Sequence, residues 1–184
     1  IRELLWDPLA LAALNQDPDI AAAPTFVRAL AMMTGPSPSD AAVALPLLPL
    51  GELYAEPARR FIEARGGQVR LTTRGRLRLS EGRVVGVDAG ESSAETSAVI
   101  SAVPWFALAG LFGDSPPREM AGICVEAGRM ESSPIVTVNL WLDRTVLDRP
   151  FVGLPGRSMQ WVFDKARLFG GTTSHLSLVS SGAS

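Results

Sequence analysis

One stretch, Ala58–Pro104, limits what this chain can fold into more than any other: ARRFIEARGGQVRLTTRGRLRLSEGRVVGVDAGESSAETSAVISAVP. A helical pattern ends at Gly66-Gly67, where a left-handed cap is cheap because glycine has no Cβ. A short strand is predicted at Gln68–Leu71. Two more, Gly75–Leu79 and Val84–Asp88, flank the turn Ser80-Glu81-Gly82-Arg83 and read as a hairpin. After a polar loop comes the apolar run Val99–Val103, stopped by Pro104. A continuous apolar run is the pattern of a strand covered on both faces, so Val99–Val103 is expected to be a buried strand.

Either side of this stretch the pattern changes. Arg2–Leu14 carries Leu4, Leu5, Leu9 and Ala12 at helical spacing, with Pro8 marking a start or a kink. Asn15-Gln16-Asp17-Pro18-Asp19 breaks that helix, and Asp19 is placed to cap a second one running to Met33, interrupted near Pro24. Gly35–Ser39 reads as a loop, Glu52–Arg65 as a helix, and Pro104–Arg118 as a short helix with a Pro-rich link. From Ile135 to Leu142 the residues alternate: Val136, Val138, Leu140 and Leu142 share one face, and Ile135, Thr137, Asn139 and Trp141 the other. Phe151–Leu154, Met159–Phe163 and Leu176–Ser180 are shorter strand candidates between Gly, Pro and Thr turns. The fold class expected is α+β, an antiparallel sheet with helices beside a smaller hairpin region.

Composition excludes several functions. The chain has 184 residues, 47% of them hydrophobic, and a net charge of −2. That suffices for a core and leaves no basic footprint for nucleic acid. Cys124 is the single cysteine and His175 the single histidine, so neither an internal disulfide nor the usual zinc ligand set can form. Lys165 is the only lysine against sixteen arginines. The longest apolar run, Ala41–Leu50, holds Pro46 and Pro49 and falls well short of the roughly 20 residues a membrane span needs. It is read as a loop or short helix tucked under the core, or alternatively as an apolar lip at a membrane surface. The chain opens on Ile1-Arg2-Glu3 without signal-peptide character and reads as an internal fragment.

The order helix, GGQVRL, hairpin and VISAVP resembles the middle of the flavin-dependent amine oxidase and phytoene desaturase superfamily. Trp6–Ala23, WDPLALAALNQDPDIAAA, resembles the W-x-P-L-x-x-A-x-L-N stretch of its squalene-associated branch, the hydroxysqualene dehydroxylases; SPIVTVNLWLDR (Ser133–Arg144) and QWVFDK (Gln160–Lys165) fit the same branch. The resemblance implies three divisions. Residues 1–50 would be the helical part of a substrate domain, 51–112 a partial FAD domain, and 113–184 the antiparallel strands of the substrate domain. It implies FAD in the intact family member, an isoprenoid or squalene-type lipid as substrate, and a cytoplasmic protein with peripheral contact at the inner membrane. A homo-oligomer is expected, because Val99–Val103 would otherwise lack the elements that cover it.

The chemistry is weighed against what is missing. No G-x-G-x-x-G follows a predicted strand, and Gly66-Gly67 sits at a helix end, where no positive dipole meets a pyrophosphate. The chain alone is therefore not expected to hold FAD. The resemblance places Gly75 at an adenine-contacting backbone position and Ala102 near the cofactor; the bland reading is a bend and a small core residue. Amine oxidases carry a lysine on the first strand of the substrate sheet. That position falls near Val136, and Lys165 lies far along the chain, which disfavours amine oxidation. Trp141, Trp161 and Phe163 are the candidates, with Phe151, for an apolar tunnel, Trp141 and Trp161 being expected to be buried over a common space, and Asn139 could face a substrate hydroxyl. Ordinary core packing is the competing reading. His175, with no carboxylate near in sequence, reads as structural, and Asp143, Asp148 and Asp164 as solvated partners of neighbouring basic residues. No catalytic residue or metal ligand is assigned. The competing function is a non-catalytic module that binds an apolar ligand.

Overall fold

A computed structural model describes residues 1–113 and 115–182. The fold is α+β, with two antiparallel sheets among helices. The chain forms two compact units, one from Ile1–Phe61 with Ser133–Ser184, the other from Ile62–Ser132 inserted between those segments.

The first unit is built on strand β4 (Ile135–Leu142), whose alternation sets a full eight-residue register with β7 (Ser174–Ser181). The sheet order is β4-β7-β6-β5, with β5 at Phe151–Gly153 and β6 at Trp161–Asp164. Directly paired residues share a face. One face therefore carries Thr137, Asn139 and Trp141, then His175, Ser177 and Val179, then Trp161 and Phe163, then Phe151. The opposite face carries Val136, Val138 and Leu140 with Leu176, Leu178 and Val162. The best-buried side chains lie on β6 and β7, among them Val162 and Leu176 with Ser174, Ser177 and Ser180. Small serines suit the central strand because both of its neighbours crowd it.

Helix α1 (Asp7–Leu14) follows a wide turn at Arg2–Trp6, with Pro8 in its first turn, where the missing N–H costs nothing. It ends at Asn15, which takes the left-handed conformation at φ 52°. Asn15 then ties three segments together. Its Nδ2 donates to the Ser133 carbonyl at 2.8 Å, its Oδ1 accepts from the Gly182 N–H at 2.7 Å, and its own carbonyl accepts from the Ser133 hydroxyl. Helix α2 (Ala23–Met33) starts after Ala22 without a side-chain cap. Asp19 is not that cap: it accepts from Arg2 Nη2 at 2.6 Å instead, because three further residues separate it from the helix start. Most of Ala41–Leu50 is exposed rather than tucked under the core: Val43 and Leu47 are 72% and 71% exposed, the two prolines keep the run irregular, and Leu45 is half-buried. The short helix α6 (Lys165–Phe169) was not anticipated. Asp164, read from the sequence as a solvated partner, is buried and caps it by accepting from the Arg167 N–H at 3.1 Å.

The second unit holds the hairpin. Helix α3 (Glu56–Glu63), which begins in the first unit's segment, runs into it and ends in a turn closed by Gly66 at φ 80°, the left-handed cap expected from the sequence. Strands β1 (Gly75–Ser80) and β2 (Arg83–Ala89) pair around Glu81 and Gly82, both at positive φ, which is the turn that matches strand twist. A third strand, β3 (Ser92–Glu95), adds to β2 from within the segment read as a polar loop. Gly86 lets the Arg78 side chain lie across the sheet toward Glu95, 3.7 Å away; a Cβ on Gly86 would stand 2.5 Å from Arg78 Nη2.

Two predicted strands do not form. Gln68–Leu71 has no ladder partner, and Val99–Val103 is neither a strand nor buried, with Ile100 98% exposed. The apolar run marks a strand only where neighbours supply hydrogen bonds on its edges, and none is present among the described residues. After it come α4 (Trp105–Leu108) and α5 (Arg118–Arg129). The latter was not anticipated, and it buries Cys124 and Ala127. Trp105 Nε1 donates to the Met130 carbonyl beyond α5 at 3.3 Å.

Candidate functional site

In the first unit, two apolar grooves share Trp161 as a lining residue. The larger of the two, about 560 Å³, is lined by Leu4, Pro8 and Leu11 of the N-terminal helical segment, Pro18, Leu154 and Pro155 of the β5–β6 connection, and Trp161 of β6. The smaller, about 300 Å³, lies over the sheet face between Phe151, Trp161, Phe163 and Val179, with Val43 and Leu45 also lining it. Both volumes fall in or near the range of small-molecule sites. The indole of Trp161 reaches across β5 because its partner there is Gly153: a Cβ on Gly153 would stand only 3.2 Å from the ring. Phe151 stacks near Phe163 with ring centroids 6.0 Å apart and tilts against Trp161 at 6.2 Å.

Charge at the groove is sparse. Glu3, Asp7 and Arg157 are the charged residues among its lining. Asp7 is matched by Arg2, which donates to it at 3.1 Å and to Asp19 at 2.6 Å. The hydrogen bond with Asp7, then that with Asp19, holds the guanidinium pKa above its ordinary value. An apolar ligand therefore meets few groups that would lose water without gaining a partner.

The predicted tunnel residues divide. Trp161 and Phe163 line the groove, and Trp141 shares their sheet face. Trp141, however, is not buried: it is 69% exposed on edge strand β4 and stacks on His175 at 4.5 Å. Asn139 lies beside them. Its Oδ1 accepts from Lys165 Nζ at 3.3 Å and meets His175 Nε2 at 3.1 Å. His175, read as structural, is thus joined to the same polar cluster. Lys165 reaches β4 in space although it is distant in sequence. It does so on the face opposite Val136, the position at which the resemblance would place an amine oxidase lysine. Sequence reasoning missed Leu4, Pro8, Leu11 and the Leu154-Pro155 turn as lining. The i, i+4, i+7 spacing of Leu4, Pro8 and Leu11 was the available signal.

The two cofactor candidates lie in the other unit. Gly75 opens β1 opposite Ala89 of β2, and a Cβ there would stand 3.5 Å from the Val87 side chain, an ordinary contact. Ala102 lies exposed in the irregular Val99–Val103 segment. Gly66 and Gly67 follow the C-terminal end of α3, where carbonyls rather than N–H groups are free. Among the described residues, no group of three or more His, Cys, Asp or Glu side chains is placed to hold a metal, and no helix is long and apolar enough to cross a membrane. No family model and no curated protein matches the chain.

Proposed function

We propose that this chain supplies the apolar-ligand site of a desaturase-like oxidoreductase acting on an isoprenoid or squalene-type lipid. The observation that carries the proposal is the groove of about 560 Å³, walled by Leu4, Pro8, Leu11, Leu154, Pro155 and Trp161. Long hydrocarbon chains need such a surface, with polar groups few and already paired. The resemblance of Trp6–Ala23 and Ser133–Arg144 to the squalene-associated branch of the flavin-dependent superfamily points the same way, and both segments belong to the unit that holds the groove. The exposed apolar side chains Val43, Leu47, Leu48 and Leu50 suit entry of such a ligand from a lipid surface.

A second reading has its own support. Because Gly75, Ala102 and the Gly66-Gly67 turn do not form a flavin cradle, the chain would serve equally as a non-catalytic binder of the same ligands. Its own residues position and shield the ligand, and no redox step is assigned to them.

Farnesol titrated against the purified chain, followed by tryptophan fluorescence, tests the shared core of both readings. Saturable binding is expected, weakened about tenfold in Trp161→Ala. Absence of saturable binding would sink the apolar-site reading. FAD added to the same protein and passed through gel filtration separates the two. The chain is expected to emerge colourless, and a stoichiometric yellow protein would restore the flavin-binding role of this chain.

A further inference from the structure

We infer that Lys165, His175 and Asn139, beside the exposed indole of Trp141, form the head-group end of the ligand site and take the oxyanion of an amphiphile whose chain lies over Phe163 and Val179. This rests on the apolar-site reading and adds the chemistry of the ligand's polar end.

The donors come first. A lysine ammonium has no acceptor, so its 3.3 Å contact makes the Asn139 oxygen the acceptor. His175 Nε2, 3.1 Å from that same oxygen, must then donate as well. The Asn139 amide nitrogen keeps both of its N–H donors, and the ammonium keeps two of its three. The cluster therefore offers donors and one full positive charge. Among the described residues, neither Lys165 nor His175 is paired with a carboxylate. Asn139 is neutral and neutralises nothing. A phosphate or carboxylate oxyanion supplies what the cluster lacks, through charge-assisted hydrogen bonds.

Position comes second. Lys165 follows Phe163 by two residues, and His175 precedes Ser177, the partner of Phe163, by two. Val179, which lines the groove with Trp161 and Phe163, is four residues along β7 from His175. At ~3.4 Å per residue this separates head and groove by about 14 Å along one sheet face. Free phosphate would use only the cationic end, and a neutral alcohol only the apolar end. An anionic amphiphile uses both. Trp141, exposed and stacked on His175, adds an apolar flank beside the charge.

The experiment compares farnesyl phosphate, farnesol and inorganic phosphate on the full chain by isothermal titration. Farnesyl phosphate is expected to bind about tenfold tighter than farnesol, the effect of one charge-assisted contact. Inorganic phosphate at the same concentration is expected not to compete. Lys165→Met should abolish the preference while leaving farnesol affinity unchanged, and Lys165→Arg should retain it. Trp161→Ala should weaken both prenyl ligands by the same factor. Equal affinity for the alcohol and the phosphate ester overturns the inference while leaving the apolar site intact. So does a preference that survives Lys165→Met, or competition by inorganic phosphate as strong as by the ester. Failure of both prenyl ligands to bind overturns the inference and the apolar-site reading together.

Discussion

Asn15 does more for the first unit than its polar, turn-like sequence context suggests. It combines a left-handed backbone with side-chain bonds to the Ser133 carbonyl and the Gly182 N–H. Asn15→Ala loses both bonds, each worth roughly 0.5–1.5 kcal/mol, and keeps the left-handed backbone without the polar side chain by which asparagine tolerates it, at a cost of about 1 kcal/mol. The expected loss in urea unfolding is about 2–4 kcal/mol, and Asn15→Gly, which removes the strain, should lose about 1 kcal/mol less. Equal losses would show that the backbone conformation is not a source of strain. A second residue carries a pH effect. Glu56 accepts from Arg59 Nη2 at 2.8 Å, and that hydrogen bond, then the charge of Arg59, holds the carboxyl below its ordinary value. A depressed folded pKa means that its stabilisation is present at neutral pH and fades as pH falls through the folded value. The group is exposed, so the effect is small and screened by salt. Arg59→Gln should raise the Glu56 midpoint in an NMR titration, and an unmoved midpoint would remove Arg59 as the cause. Trp141 and Trp161 show where residue-level reading stops. Both sit on one face in a period-two pattern, and that much was legible. Which of them is covered depends on sheet order, and a pattern of alternation says nothing about which strand is the edge.

Elements whose pattern is local came through the sequence well. Gly66 needs only its own φ, the Glu81-Gly82 turn only its two neighbours, and β4 only its alternation. Elements that depend on a distant partner did not. Val99–Val103 has the composition of a covered strand, yet its backbone joins no ladder. Helix α5 hid behind Gly122 and Gly128, which read as breakers but sit in a helix that buries Cys124 and Ala127. Hydrogen exchange tests this contrast. Amides of β7, flanked by ladders on both sides, are expected to be the slowest in the chain, and those of Gln68–Arg70 and Ile100–Val103 to exchange at nearly unprotected rates. Protection in Ile100–Val103 comparable to that of β7 would mean that the run finds a ladder in solution.

For the whole molecule, the strongest consequence of the topology is an open edge. Among the described residues β4 pairs with β7 alone, and its eight residues, IVTVNLWL, contain none of the Lys, Glu or Pro that shield natural edges. Ile135, Val136, Val138, Leu140 and Trp141 are all exposed on it, spread over both faces. The sequence reading expected association through Val99–Val103, but that segment lacks the extended ladder geometry that makes an edge adhesive. We propose instead that two copies pair β4 to β4 about a two-fold axis, which joins like edges and closes the assembly. Antiparallel pairing would hydrogen-bond both free edges and cover part of the apolar flanks in one step. Sedimentation equilibrium over a dilution series should then show a monomer–dimer equilibrium. Val138→Lys places a charge at the middle of the edge and should shift it to monomer, with the far-ultraviolet dichroism unchanged. Ile100→Ser, on the exposed run of the other unit, should leave the equilibrium where it was. A monomer at every concentration would remove the association altogether, and a dimer lost in Ile100→Ser but kept in Val138→Lys would return it to the Val99–Val103 segment.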